Sequence, residues 1–178
     1  ALDYLKQSLA IRQEIGDQSG VGNTLNNMAT ATYAQGDYDT VLDYLKQSLA
    51  IRQEIGDKYG EGITLNNISQ IFKARGDYNT ALDYLKQSLA IQQEIGDKYG
   101  EGITLNNMAA AAHAQGDYNT ALDYFQQALD IHRGIGNKDG IGTMLSNISQ
   151  IYSARGDYNT ALDYLKQSLA IRQEIGDQ

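Results

Sequence analysis

Apolar residues recur along this chain at spacings of three and four, in long blocks separated by polar turns that begin with glycine. Between Lys58 and Arg75, the residues Leu65, Ile68 and Phe72 follow that spacing with Ile71 beside them, which predicts an amphipathic helix. Asp57 stands where an N-cap is wanted, and Glu61 lies in the first turn, where the helix dipole favours an anion. Gly76 fits the left-handed position that ends a helix. A second helix is predicted from Tyr78 to Ile95, started by Asp77 and stopped by Gly96. Its buried positions are predicted to be Tyr78, Ala81, Leu82, Leu85, Ser88, Leu89, Ile91 and Ile95, a face wide enough to touch helices on two sides. Connections this short force the two helices to lie antiparallel. The chain has no proline, which fits long unbroken helices, whereas Gly60 and Gly62 blur the start of the first one.

The same pattern returns every 40 residues. Near-copies of Gly76-Asp77-Tyr78-Asn79-Thr80-Ala81-Leu82-Asp83-Tyr84-Leu85 begin at Gly36, Gly116 and Gly156. A segment of that length cannot bury its own apolar side, so each copy has to lean on its neighbours. The expected fold class is all-α, an α-solenoid of antiparallel helix pairs. Residues 1–18 are identical to residues 161–178. The expected organisation is a single array over 1–178, with an orphan second helix at 1–18 and four helix-pair repeats at 19–58, 59–98, 99–138 and 139–178. It reads as a piece of a longer array. Alternate repeats also differ: Ala31-Thr32-Tyr33 and Ala111-Ala112-His113 stand where the others have Ile71-Phe72-Lys73 and Ile151-Tyr152-Ser153. Bulky residues interdigitating with small neighbours would explain this alternation.

Charge and composition narrow the partners. With 178 residues and a net charge of -8, the chain is poorly suited to nucleic acid or an anionic membrane, both of which need clustered Lys and Arg. Protein or peptide partners are expected instead. The absence of cysteine removes disulfides and thiolate metal sites. No long apolar run marks a membrane span or a signal peptide. A cytoplasmic location is the expectation.

The repeat unit resembles the tetratricopeptide repeat. The second repeat has Leu65, Ile68, Ser69 and Phe72 on its first helix, then Ala81 and Leu85 on its second, and Gln93 where the family has proline. Gly76-Asp77-Tyr78 looks like the family's most frequent turn, and small residues stand at the close-approach position of every repeat: Ala29, Ser69, Ala109 and Ser149. Leu replaces the family's Trp and second-helix aromatic, and six extra residues lengthen the helices. This longer form is similar to the repeats of kinesin light chains, of spindle-orientation scaffolds and of bacterial multi-repeat proteins. The resemblance implies a right-handed superhelix whose inner wall is made by first helices.

On that implied wall four rungs can be counted: Asn26, Asn27, Thr30 and Tyr33; Asn66, Asn67, Gln70 and Lys73; Asn106, Asn107, Ala110 and His113; Ser146, Asn147, Gln150 and Ser153. Asn27, Asn67, Asn107 and Asn147 recur once per repeat. A carboxamide donates and accepts at once, as an extended peptide backbone requires, and some relatives with such a ladder hold peptides this way. The expectation is backbone gripping by the ladder, with specificity from Tyr33, Lys73 and His113. The weaker alternative is that the ladder serves only to solvate the wall or to bond one repeat to the next. No second cation flanks Lys73, which disfavours a ligand held by its C-terminal carboxylate.

No catalytic or cofactor constellation stands out. His113 and His132 fall on different helices with no recurring Ser, Asp or Glu around either, and two unpaired histidines make a poor metal site. His132 occupies the position of Arg52 and Gln92, and is expected to be exposed and freely varied. Arg52 beside Glu54 and Asp83 with Lys86 read as charged surface. The glycine-rich GDKYGEG run at Gly56 is acidic and lacks GK[ST], so phosphate cradling is not expected. Three functions remain open: a peptide-binding adaptor, a structural element that self-associates end to end through its terminal helices, and a regulatory spacer joined to another domain.

Overall fold

The computed structural model describes residues 2–176; Ala1, Asp177 and Gln178, assigned above to the first half-repeat and the last repeat, lie outside the described residues. Nine helices and no strand occur among the described residues: α1 (Leu2–Glu14), α2 (Gln18–Tyr33), α3 (Tyr38–Glu54), α4 (Lys58–Ala74), α5 (Tyr78–Ile95), α6 (Lys98–Ala114), α7 (Tyr118–Gly134), α8 (Lys138–Ala154) and α9 (Tyr158–Gly176). Two compact units are formed, Ala1–Ile95 and Gly96–Gln178. In the first, α2 packs on α3 and α4 on α5, while α1 leans on α2 and α3 on α4. In the second, α6 packs on α7 and α8 on α9, with α7 leaning on α8.

Each helix starts and stops for a local reason. The carboxylates of Asp17, Asp57 and Asp97 accept from the backbone N–H of Gly20, Gly60 and Gly100, and Asp37, Asp77, Asp117 and Asp157 accept from Thr40, Thr80, Thr120 and Thr160. Each bond satisfies an amide that the helix itself leaves bare. At the other end Gly56, Gly76 and their equivalents take positive φ, +79° at Gly76, so the chain can turn back without a Cβ clash. The expected bounds hold to within a residue: α4 ends at Ala74 with Arg75 as its cap, and α5 spans the expected residues.

The core of the first unit gathers Ala29, Val41, Leu42, Leu45, Ile68 and Ile71, with Tyr38, Tyr44, Leu49, Phe72 and Tyr84 packed around it. Ala29, Ser69, Ala109 and Ser149 are all buried. Ala81, Leu85, Ser88 and Ile91 are buried as expected, but Ile95 is exposed, as are Ile55 and Ile135 at the same register.

The alternation between repeats shows in which rings meet. In one repeat type the ring lies flat on a tyrosine of the following helix, Phe72 on Tyr84 at 5.4 Å and Tyr152 on Tyr164 at 5.6 Å. In the other type, buried Thr32 or Ala112 takes that place, and the ring one residue later pairs with the turn tyrosine: Tyr33 with Tyr38, and His113 with Tyr118, both at 5.5 Å. Arg75 and Arg155 reach back over the rings of Tyr38 and Tyr118 and bond Asp39 and Asn119. The period of two repeats is therefore a contact between unlike neighbours.

Candidate functional site

The site is built on the seams between consecutive first helices. In the first unit, α2 and α4 face one another across two hollows of about 320 Å³ each. One is polar and lined by Asn23, Asn26, Asn27, Arg52, Tyr59 and Ile63; the other is apolar and lined by Ala29, Tyr33, Val41, Leu45, Gln70 and Ile71. Thr30 and Asn67 belong to both, so the hollows form one continuous seam. Of the residues expected on the ligand wall, Asn27, Thr30, Tyr33, Asn67 and Gln70 are thus brought together. Lys73 lines neither hollow, and burial of its stem pushes its ammonium below the usual lysine range.

Asn26 and Asn66 are a correction. The sequence pattern placed them on the open face; both are buried. Asn26 Nδ2 donates to Thr64 Oγ1 at 3.0 Å, and Asn66 Nδ2 to Ser88 Oγ at 2.7 Å. These positions look into the contact between helices, where an unspent amide is costly. In the second unit, Asn147 Nδ2 donates to Asn106 Oδ1 at 2.9 Å, so two expected ligand contacts bond one repeat to the next. Asn107 and His113 are half-buried and Gln150 is exposed; Gln150 lines a hollow of about 470 Å³ between α8 and α9 with Tyr158, Leu162 and Leu165.

A second correction concerns Arg52, Gln92 and His132. They were expected on a freely varied surface; all three are buried, His132 to 3% exposure. Arg52 donates through Nε to Ser48, through Nη2 to Asn23 Oδ1 at 2.7 Å, and through Nη1 to Asp57, the cap of the next helix. It crosses the seam between two first-helix glycines, and a Cβ at Gly22 would stand 3.5 Å from it while one at Gly60 would overlap it. His132 fills the equivalent place in the second unit, against Gly102 and Gly140. Its Nδ1 lies 3.1 Å from Asn137 Nδ2 and so accepts, and burial holds its imidazole below the usual histidine range. The readable signal was the pair of glycines in the first turn of every first helix, eight residues beyond this position.

The sequence profile of the tetratricopeptide repeat matches residues 1–54, 20–94 and 100–174. The chain belongs to the tetratricopeptide repeat family. No curated protein matches it. Among solved structures, BtubC (BKLC) from P. vanneervenii is similar at a TM-score of 0.80 and 17% identity, over 99% of this chain and 81% of that one. A candidate kinesin light chain of nearly identical TPR-like repeats from Podosopora anserina aligns at 0.78 and 19% identity, over 99% and 87%. A Rap protein complexed with Competence and Sporulation Factor aligns at 0.85 and 18% identity; it covers 99% of this chain, which spans about half, 49%, of that protein. These likenesses show the fold, an all-α helical repeat solenoid. Tetratricopeptide repeats are in general scaffolds for protein–protein interaction, and this chain is such a repeat scaffold. Among the described residues, no helix is long and apolar enough to cross a membrane.

Proposed function

We propose that this tetratricopeptide array grips an extended peptide segment of a partner protein along the seams between its first helices. The continuous α2/α4 seam carries the reading, because it sets exposed or half-exposed carboxamides beside an apolar hollow. Asn27, Asn67 and Gln70 supply donors and acceptors to the backbone, while Tyr33 and the hollow behind it receive a side chain. In the second unit Asn107, Gln150 and His113 take the same parts, while the Asn147 amide is engaged with Asn106. The solved Rap protein with a bound factor supports placing a partner on this fold. The reading includes one uninterrupted array over 1–178, no catalysis, no nucleic acid or membrane partner, and a cytoplasmic setting.

The test is selection of blocked peptides from a randomised library, followed by titration against the variant carrying Asn67→Ala and Asn107→Ala. Losing two carboxamide contacts should weaken binding by about tenfold or more. Unchanged affinity for every selected peptide would remove the ladder from the reading.

A structural, self-associating role is the second reading. It is favoured by the apolar faces of α1 and α9, where Tyr4 and Ile11, and Leu162, Leu165 and Leu169, are exposed. Light scattering across a dilution series separates it from a simple adaptor, which stays monomeric.

A further inference from the structure

Asn137 caps α8 and touches His132 at the same time. Its Oδ1 accepts from the backbone N–H of Gly140 at 3.1 Å, so Nδ2 is the atom turned to the imidazole, 3.1 Å from Nδ1. An amide nitrogen only donates, which fixes the tautomer: Nδ1 is bare and accepts, and the ring proton sits on Nε2. The two residues are also joined through the backbone, where the Asn137 N–H donates to the His132 carbonyl at 2.9 Å. The ring lies close against both first helices. A Cβ on Gly140 would stand 2.5 Å from Nδ1, and one on Gly102 would stand 2.9 Å from Nε2.

Protonation brings two donors face to face. The imidazolium carries N–H at both nitrogens, so turning the ring over gives no relief. Asn137 can then keep Oδ1 on Gly140 and hold its NH2 against a cationic N–H, or turn its amide over, which gives Oδ1 to the ring and leaves the Gly140 amide bare. The first unit meets no such conflict at Arg52. Asp57 gives Oδ1 to Gly60 and Oδ2 to the guanidinium, since a carboxylate accepts at both oxygens. The charged groups on the elements around His132 are paired or screened. On α6, Glu101 pairs with Lys98, and Tyr99 meets the ring edge-on at 6.3 Å; on α7, Asp130 pairs with Arg133; Lys138 of α8 pairs with Glu174 of α9. Asp139 lines the same hollow from an exposed position, where water and salt screen it.

We infer that His132 and Asn137 form a proton-operated latch on the start of α8, closed while the ring is neutral and released when it is protonated. Release uncaps α8 at Gly140. The start of that helix supplies Asp139, Gly140, Thr143 and Met144 to a hollow of about 270 Å³, which Tyr99, Ile103 and Asn106 line from α6. Acid therefore loosens one wall of the α6/α8 seam, while the α2/α4 seam, held by Arg52 and Asp57, keeps its caps. Burial holds the ring below the usual histidine range, so the latch is closed at neutral pH and opens on the acid side of 6.5. The latch needs no ligand and stands apart from the peptide-binding reading.

The experiment is an NMR titration of the full chain from pH 7.5 to pH 5. It follows the His132 ring nitrogens and the exchange protection, corrected for the intrinsic rate, of two capped glycine amides in the second unit: Gly140, and Gly100, whose cap is Asp97. Protection of Gly140 should fall by about fivefold, the worth of one cap, with the midpoint of His132, while that of Gly100 holds. Three results would overturn the latch: a ring still neutral at pH 5, a ring that titrates with Gly140 unchanged, or Gly140 and Gly100 losing protection together, which is acid loosening the whole unit. Asn137→Asp is the second arm. Its carboxylate can accept from the protonated ring as Asp57 accepts from Arg52, so the folded His132 pKa should rise above 6.5, and the stability it contributes is then present in acid and lost as the pH rises through the folded value. The urea midpoint of this variant should gain on that of the unaltered protein as the medium is acidified. No gain would overturn Asn137 as the group that meets the proton. If the variant does not fold, judged by its helical circular dichroism, the titration of the unaltered chain decides by itself.

Discussion

A Cβ placed on Gly60 would lie 1.5 Å from Nη1 of Arg52. The guanidinium occupies the space that any other residue at position 60 would need. It cannot easily leave, since Ser48, Asn23 and Asp57 hold it at Nε, Nη2 and Nη1. The glycine beside it is under no such constraint, because a Cβ at Gly62 would meet Gln92 Cγ at 3.6 Å, an ordinary contact.

Gly60→Ala is therefore expected to destabilise the protein by about 1–3 kcal/mol, the usual range for overpacking, although alanine is the better helix former. Gly62→Ala, two residues away in the same helix, should stabilise it by up to about 1 kcal/mol through helix propensity. Urea denaturation of the two single variants reads the difference, and two changes of the same sign would contradict the packing described for Arg52.

His132 makes the stability of the second unit depend on pH. The neutral ring fits beside the neutral cap Asn137, whereas Arg52 faces the charged Asp57. Around it, Asp139 lines the same hollow from α8, Glu101 on α6 is paired with Lys98, and Asp130 and Arg133 pair with each other on α7. Its folded pKa is lowered from 6.5 by burial, so below about that pH the unfolded chain binds the extra proton. Stability is full above it and falls as the medium is acidified. The urea midpoint should drop from pH 7.5 to pH 5, and His132→Gln, which installs the residue found at Gln92, should flatten that part of the profile.

Phe72 is half-buried and stacks on Tyr84 with ring planes 13° apart. Truncation of a fully buried aromatic costs about 3–5 kcal/mol, and partial exposure lowers the figure. Phe72→Ala is expected to cost about 2 kcal/mol in thermal or urea unfolding. A loss of a few tenths would mean that the stack contributes little.

Asp77 caps α5, and its carboxyl is held below the usual carboxylate range by the Thr80 side chain and then by the Thr80 backbone N–H. A depressed carboxyl stabilises the fold above its unfolded pKa and loses that contribution as the pH falls through the folded value. Asp77→Ala should lower stability at neutral pH, because it removes the cap of α5. The deficit should shrink in strong acid, where the carboxyl of the unaltered protein is protonated too.

Much of the architecture was legible because it is set by local chemistry. Asp57, Asp77 and Gly76 fix helix ends through bonds and dihedrals within a few residues, and the spacing of Leu65, Ile68 and Ile71 marks one face. The site was only partly legible. Asn27 and Asn67 fall in the seam as their register implied, yet Asn26 and Asn66, one residue earlier, turn inward, since a helix step of 100° carries them off the open face. No local rule separated the two positions, because both are carboxamides and adjacent.

By itself, then, the sequence determined the repeat, the helix bounds, the antiparallel pairing and the family, all of which follow from interactions between residues close in the chain. Only the tertiary structure decided that Arg52 and His132 are buried posts rather than surface charges, that Gly60 and Gly102 exist to admit them, and that Asn26 keeps an acceptor unspent. The physical reason is that burial and hydrogen-bond exhaustion depend on groups brought together across a seam. Asn26 meets Thr64 from the next first helix, and Arg52 meets Ser48, Asn23 and Asp57, none of which its own helical register could foretell.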